Sequence, residues 1–288
     1  MLIQNLFLAA INFVANLTDI ATTTNISPKS LANLLSTPTS STIGQSHSRR
    51  STTTTTMAWR CTGRTNAELI SNLFDASIIT SPRVRAAMSA VDRAHFCPSP
   101  SYAYEDSPQT IGHGATISAP HMHASAAESL LPYIRPDRDC RILDIGSGSG
   151  YLTAVLAHLI GDGPGSGKVV GIEHIEPLAK MARENMGKSA QGRAMLESGK
   201  VEFVVGDGRK GYPATAPYDA IHVGAAAKEL HSELVEQLKA PGRMFIPVED
   251  EGGWGSQYIW VVDKDEKGEV KKKRDMGVRY VPLTDAPK

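Results

Sequence analysis

The sequence predicts an α/β fold: a doubly wound, mostly parallel sheet with a late antiparallel pair and N-terminal helices. Three observations carry this. From residue 141 onward, short runs of branched apolar residues alternate with segments at helical spacing about 10–12 residues long, the pattern of βαβ units covered on both faces. The last two apolar runs follow each other across a charged turn with no helix between them, as in an antiparallel pair. Ahead of residue 141, two segments carry helix start signals.

Taken in order, residues 1–56 stand apart. Their only charges are Asp19, Lys29, Arg49 and Arg50, and from Thr22 they are dominated by Ser and Thr, ending in the run 52–56. Such a stretch cannot bury a core and is expected to be disordered. Residues 1–20 are more apolar and could form a marginal helix, but the first basic residue is Lys29, which does not suit a secretory signal. A mitochondrial leader would be Ser-rich and acid-poor, as here, and also Arg-rich, as here it is not. Met57 offers the simpler reading of an internal start. Residues 57–288 are then the folded domain. The extension holds three of the 30 basic residues and one of the 30 acids, so 57–288 carries 27 basic and 29 acidic residues. A slightly acidic domain with 6% aromatics offers little bulk attraction to nucleic acid or anionic membrane. No apolar run reaches the length of a membrane span. Three scattered cysteines suit neither a disulfide framework nor a zinc site, and the expectation is a reduced, cytoplasmic protein. No exposed apolar stripe is evident, so a monomer is the default.

Thr65-Asn-Ala-Glu68 is a capping box, followed by Leu69, Ile70, Leu73 and Phe74 at helical spacing. Ser81-Pro82 starts a second helix with Val84, Met88 and Val91 on one face. Residues 96–120, rich in Pro, Gly, Ser and Tyr, read as a long loop, and long ordered loops are often functional. A third helix follows over 121–131. Strands are expected at 141–145, 168–172, 201–205, 218–223 and 243–248, and helices at 151–160, 177–186 and 228–239. The late pair is 257–262 and 270–280, joined by 263–268. The charges at 271–274 read as a solvated strand face.

Ligand chemistry is written at the strand ends. Arg141-Ile-Leu-Asp-Ile-Gly-Ser-Gly-Ser-Gly150 joins the first strand to a helix, and its glycines let a ligand approach the backbone. A dinucleotide fingerprint would be G-x-G-x-x-G. Here the spacing is Gly146-x-Gly148-x-Gly150, Tyr151 takes the slot of the third glycine, and Asp144 precedes the loop where it would repel pyrophosphate. The loop suits a nucleoside with a cationic methionine moiety, S-adenosylmethionine, better than a nicotinamide cofactor or a purely structural turn. Glu173 ends the second strand, where an acid can accept both ribose hydroxyls. Asp207 ends the third, placed to accept an adenine amino group, with Gly208 allowing close approach.

Upstream, Gly112-His-Gly-Ala-Thr-Ile-Ser-Ala-Pro-His-Met-His123 leads into the third helix. Thr116 and Ser118 beside a helix N-terminus form an anion-binding arrangement, unless both are simple caps. A carboxylate is the methyl acceptor that suits it: already ionised at neutral pH, it needs no base, only in-line positioning. His121 and His123 have no third ligand at suitable spacing, so no metal is expected; structural hydrogen bonding is their plain alternative.

These residues converge on a family. Over nearly all of 57–288 the chain resembles protein-L-isoaspartate (D-aspartate) O-methyltransferases. The resemblance rests on Met57-Ala-Trp59, Asp106-Ser-Pro-Gln-Thr-Ile-Gly112, Ala115-Thr-Ile-Ser-Ala-Pro-His-Met-His-Ala124, Leu143-Asp-Ile-Gly-Ser-Gly-Ser-Gly150 and Val204-Val-Gly-Asp-Gly-Arg209. It extends through 216–227 and Tyr280-Val-Pro-Leu-Thr-Asp285. The block around Ser118 is specific to that family, whereas the glycine loop is shared by many methyltransferases. The resemblance implies a Rossmann-like class I S-adenosylmethionine-dependent fold. It implies methyl transfer to the free carboxylate of L-isoaspartyl or D-aspartyl residues, ester collapse to a succinimide, and repair of damaged proteins and peptides. It also implies Ser118 as the active-site residue. The implied cofactor and substrate walls are Ala115, Thr116, Ile117, Ser118, His123, Asp144, Ile145, Gly146, Ser147, Gly148, Ser149, Gly150, Glu173, His174, Asp207, Gly208 and Thr284. Three features depart from the family pattern: Glu173 where many vertebrate relatives carry Asp, a longer glycine-rich connection over 161–167, and an end at Lys288 soon after Thr284, which predicts looser closure over the cofactor. The core alone would also serve a small-molecule or RNA methyltransferase, or a cofactor-binding adaptor. Weak basic and aromatic character disfavours RNA, and the complete Ser118 loop disfavours the adaptor.

Overall fold

The computed structural model describes residues 61–161, 167–250 and 255–285. The expectations for residues 1–56, and most of the 161–167 connection, lie outside them. Two helices open the described chain, α1 (Asn66–Asp75) and α2 (Pro82–Ala90). Thr65 Oγ1 caps α1 by accepting from the Glu68 amide, but the Glu68 carboxylate reaches Arg64 N instead of closing the reciprocal bond of a capping box. Ser81 caps α2 from ahead of Pro82, as read from sequence.

The expected loop 96–120 contains a hairpin, β1 (Gln109–Gly112) and β2 (Ala115–Ile117), turning through Gly112, His113 and Gly114, all at positive φ. Strands of three and four residues are too short to show a period in sequence. Helix α3 (Pro120–Leu130) follows.

The seven-stranded sheet comprises β3 (Arg141–Ile145), β4 (Lys168–Glu173), β5 (Val201–Val205), β6 (Tyr218–Val223), β7 (Leu238–Glu249), β8 (Gln257–Lys264) and β9 (Val270–Val278), in the order β5-β4-β3-β6-β7-β8-β9. The first five strands in that order run parallel, and β8 and β9 close it as antiparallel neighbours. Four helices connect them: α4 (Tyr151–Ile160), α5 (Glu176–Met186), α6 (Ala190–Glu197) and α7 (Ser232–Gln237). The switch point is β3, from which the chain winds out through β4 and β5 and returns to β6 on the other side. Ligands bind at such a point, beyond the carboxyl ends of the strands.

Strand period two divides the core. Ile142, Val169, Ala220 and Phe245 point to one face, with Val155 and Leu156 of α4, Val84 and Met88 of α2, and Ala124 and Ala127 of α3. Leu143, Ile145, Val170, Ile172, Ile221, Val223, Met244 and Ile246 point to the other, with Leu234 of α7. Each fully buried aliphatic side chain contributes about 1.5–3 kcal/mol, so a one-residue slip of register would be ruinous. The same alternation puts Asp144 and His222 on the α4 face, directly opposite each other in the β3–β6 register.

Two elements depart from the sequence reading. The helix expected over 228–239 shrinks to α7, since Leu238 and Lys239 already belong to β7 and the chain ahead of it, at 225–227, runs extended. Ala227 N donates to Pro247 O and Ala227 O accepts from Glu249 N, while Leu238 already pairs with Tyr218. Helix α6 was not expected, since Gly192 interrupts its propensity. A Cβ there would meet the Met186 carbonyl oxygen at 2.0 Å, so glycine is what lets the chain turn so closely out of α5. The basic residues of β9 are exposed, as expected. All three cysteines are buried, and burial pushes the Cys140 thiol up to about 11, which keeps it inert as a nucleophile.

Candidate active site

Glycine builds the floor of the site. Gly146, Gly148 and Gly150 all adopt positive φ, which side-chain-bearing residues disfavour. The turn is pinned beneath: Gly146 N and Ser147 N both donate to Ile172 O, and Gly148 N donates to Glu173 Oε2 at 3.0 Å. Gly150 lines neither of the two spaces described below. It starts α4 in the left-handed region, where a Cβ would press on Ala182 and Phe203 at 3.0 and 3.1 Å, so its contribution is packing, not contact with a ligand.

Over this floor opens a cavity of about 420 Å³. Its walls are the β1–β2 turn with Ala115 and Thr116, then Ile145, Gly146 and Gly148. The tip of β4 with Glu173 and His174, then Gly208, Gly224 and Ala225, and the tail Val281–Asp285 complete them. The tail is tied over the opening: Ala226 N donates to Val281 O, Leu283 N to Ala226 O, and His174 Nδ1 to Thr284 O at 2.9 Å. Behind the loop lies a smaller space of about 30 Å³, walled by Ile117, Ser118, His123, Asp144, Ser147, Ser149, Tyr151 and His222. Thr116, Gly146, Gly148 and Gly224 border both spaces, so the two adjoin across the loop.

Glu173 sits at the junction of loop and cavity, 6% exposed, accepting from Gly148 N and Ile175 N, one amide on each oxygen. A carboxylate oxygen has two acceptor sites, so capacity remains on each for a hydroxyl from the cavity. Asp207 differs from expectation. Arg209 takes both of its oxygens at 2.9 Å and holds its carboxyl below the usual range, and the cavity wall there is Gly208. Asp144 also differs: it is 1% exposed and engaged on both oxygens, by His222 Nδ1 at 2.7 Å and Thr153 Oγ1 at 2.5 Å. It supports the loop from below and borders only the smaller space.

The expected anion site at the start of α3 is already filled from within. Asp106, fully buried, accepts from His121 N at 2.9 Å and from His121 Nδ1 at 2.8 Å. Neither Thr116 nor Ser118 caps the helix. Ser118 faces the smaller space, with the Tyr280 phenol near its hydroxyl; burial pushes that phenol up to about 12. Gln257 clamps the Tyr280 backbone on both sides, accepting from its N–H and donating to its carbonyl. Behind Ser118 lies Arg93, 0% exposed, whose Nη2 donates to Ser118 O at 2.8 Å and whose Nη1 meets His123 Nδ1 at 3.3 Å. Burial, then the nearby Arg93 charge, holds His123 well below its ordinary pKa, so it is neutral at physiological pH.

Sequence reading missed Arg93, His222, Tyr280, Gly224 and Ala225 as parts of the site. His222 had a signal: a polar residue on a wholly buried strand, in register with Asp144. Arg93, in a charged loop next to Asp92, had none.

The residues fit S-adenosylmethionine on three counts. Gly208 has no space for a side chain, since a Cβ would lie 2.3 Å from Ile145 Cγ2, and one on Gly224 would press on Gly146 O at 3.0 Å. The hydroxyls of Ser147 and Tyr151, both bordering the smaller space, are buried without a partner in the protein, as expected where a ligand supplies one. The volume lies in the range of small-molecule sites. Replacing Gly208 with Ala is expected to displace the backbone over Ile145, costing about 1–3 kcal/mol and weakening S-adenosylhomocysteine binding, read by thermal melts and calorimetric titration.

Comparison with known proteins agrees. The family model for protein-L-isoaspartate(D-aspartate) O-methyltransferase (PCMT) matches residues 64–288. A protein-L-isoaspartate O-methyltransferase of Triticum aestivum is 47% identical over 219 residues, covering 76% of this chain and 91% of that protein. One of Caenorhabditis elegans is 45% identical over 228 residues, covering 79% and 96%. A PCMT crystal structure from Plasmodium falciparum in complex with S-adenosyl-L-homocysteine superposes with a TM-score of 0.69 at 30% identity, covering 77% of this chain and 99% of that one.

Proposed function

The chain belongs to the protein-L-isoaspartate (D-aspartate) O-methyltransferase family, and from that membership we propose how its residues share the work. The enzyme uses S-adenosylmethionine to methylate isoaspartyl carboxylates in proteins, a reaction consistent with protein repair. Glu173 holds the ribose, and the Gly208 backbone admits the base. The loop 146–149, with Ser147, Ser149 and His123, holds the methionine end. Ala115, Thr116, Ile117 and Ser118 present the acceptor. The observation that carries this division is the adjoining pair of spaces, bordered on one side by the glycine loop and on the other by the Thr116–Ser118 segment.

Bound S-adenosylmethionine supplies an electrophilic methyl on a sulfonium sulfur. The acceptor is an isoaspartyl carboxylate, already ionised at neutral pH, and transfer of that methyl to its oxygen would give the methyl ester. No proton moves, so no general base is required of the protein. Its task is alignment and exclusion of water. The Ser118 hydroxyl orients the acceptor carboxylate. The tail Val281–Asp285, tied at His174 and Ala226, walls the cavity that takes the nucleoside.

We read the enzyme as cytoplasmic and monomeric, with isoaspartyl proteins and peptides as partners and with no nucleic-acid or membrane partner. No helix among the described residues is long and apolar enough to cross a membrane. Two of the basic β9 side chains have partners close by, Lys271 near Asp265 of the β8–β9 turn and Arg274 over the Tyr258 ring, which favours a solvated edge over an RNA surface. Methyl transfer to an isoaspartyl peptide and to its normal aspartyl twin tests the function. Base-labile methyl is expected on the first alone; equal labelling of both, or of neither, refutes the reading.

A further inference from the structure

Arg93 is the one fully buried guanidinium among the described residues, and no carboxylate pairs with it. An unpaired buried charge is costly and persists where something else requires it. Its donors go to the Ser118 carbonyl and to His123 Nδ1, its plane lies near the Tyr151 ring at 5.2 Å, and its Nε has no partner.

A guanidinium can only donate. His123 Nδ1 therefore accepts, and the neutral ring carries its proton on Nε2. The ring borders the smaller space beside Ser118. That space also holds the unpartnered hydroxyls of Ser147 and Tyr151, and it has room for about two water-sized groups, the size of a carboxylate. The opposite wall carries His222, wired in the reverse sense, with Nδ1 donating to Asp144. One imidazole is backed by a cation and the other by an anion.

We propose that Arg93 is a positioning residue that fixes His123 as a hydrogen-bond donor, through Nε2, to a carboxylate held in the smaller space. The proposal rests on the methyltransferase reading above. Both reactants bring a carboxylate: the methionine end of the cofactor and the isoaspartyl acceptor. The donor is a neutral ring whose tautomer is set from behind, so it does not come and go with pH. The charged or titratable groups facing His123 are Arg93, His222 and His121, with the Tyr151 ring packed against it.

The tautomer is measured on the whole enzyme labelled with 15N-histidine. The imidazole shifts of His123 are expected to show Nε2 protonated and Nδ1 bare throughout about pH 5 to 8. A ring protonated on Nδ1, singly or doubly, overturns the proposal. Arg93→Gln, whose amide can accept as well as donate, is expected to let the Nδ1-protonated tautomer of His123 appear in the same spectra, which a purely structural arginine would not do. Because that variant can fail to fold, His123→Asn is the companion: its amide oxygen still accepts from Arg93 but nothing replaces Nε2. The expected loss is roughly 10- to 100-fold, the size of a hydrogen bond to a charged group. A loss in affinity for S-adenosylhomocysteine assigns the carboxylate to the cofactor; a rise in KM for an isoaspartyl peptide at unchanged cofactor affinity assigns it to the substrate. A folded His123→Asn enzyme unchanged in both overturns the proposal. A wild type that methylates no isoaspartyl peptide instead refutes the functional reading, and the tautomer and S-adenosylhomocysteine measurements still decide this one.

Discussion

Replacing Glu173 with Ala is expected to raise the dissociation constant for S-adenosylhomocysteine by roughly 100-fold or more, at two charge-assisted hydrogen bonds of about 1.5–3 kcal/mol each. The argument has two parts. Toward the cavity, the carboxylate is the acidic group at the tip of β4 able to accept from a ribose. Away from it, the same group takes Gly148 N at 3.0 Å and Ile175 N at 3.1 Å, so it also sets the height of the glycine loop. Ala removes both functions, leaving a loop amide without its acceptor. Gln separates them: its amide oxygen still accepts one backbone N–H, but the charge and the second acceptor are gone, and an intermediate loss is expected. Asp keeps the charge one methylene short, and about a tenfold weakening is expected as the loop gives up one of its two anchors. Calorimetric titration of the three variants orders them Asp, Gln, Ala in increasing loss. An Ala variant within threefold of wild type would remove Glu173 from the ribose site.

Much of this site was legible in sequence because strand ends announce themselves. Glycines with an acid at the end of an apolar run mark the carboxyl end of a parallel strand, and Gly146, Glu173 and Gly208 fall on the cavity wall as read. What could not be read was direction. Asp207 and Glu173 look alike in sequence, each an acid at a strand end. Asp207 turns to Arg209 two residues on, whereas Glu173 turns back to the loop, and only the neighbouring backbone decides between these. The start of α3 teaches the same lesson. A free helix N-terminus after Ser118 reads as an anion site, yet Asp106, fifteen residues before the His121 amide it accepts from, already occupies it. The misread helix over 228–239 has another cause: its end, Leu238 and Lys239, is claimed by β7, where Leu238 pairs with Tyr218, and tertiary pairing overrides propensity. Arg93 was invisible for a general reason. A charged residue in a loop is expected in water, and only the packed structure shows it sealed behind Ser118.

Replacing Asp144 with Ala should be the most damaging single change to stability in the site. The carboxylate lies on the face of β3 that packs against α4, where it is the common acceptor for a strand and a helix: His222 Nδ1 from β6 and Thr153 Oγ1 from α4. Truncation leaves two donors buried without partners, at about 1–3 kcal/mol each, and opens a small void beneath the glycine loop. The expected loss is about 4 kcal/mol, which for a domain of this size lowers Tm by about 10 °C. Asn is the informative comparison, since it fills the same space. Its carbonyl can serve Thr153, but its NH2 then faces His222, whose Nδ1 must become an acceptor and whose proton must move to Nε2. Stability is therefore expected to recover in part, while the imidazole on that wall changes from acceptor to donor toward the smaller space. The expected signature is a Tm between Ala and wild type, joined to a cofactor affinity that does not recover with it. If affinity and Tm instead rise together in Asn, Asp144 acts on the ligand only by holding the loop in place, and the sense of the His222 hydrogen bond is without consequence.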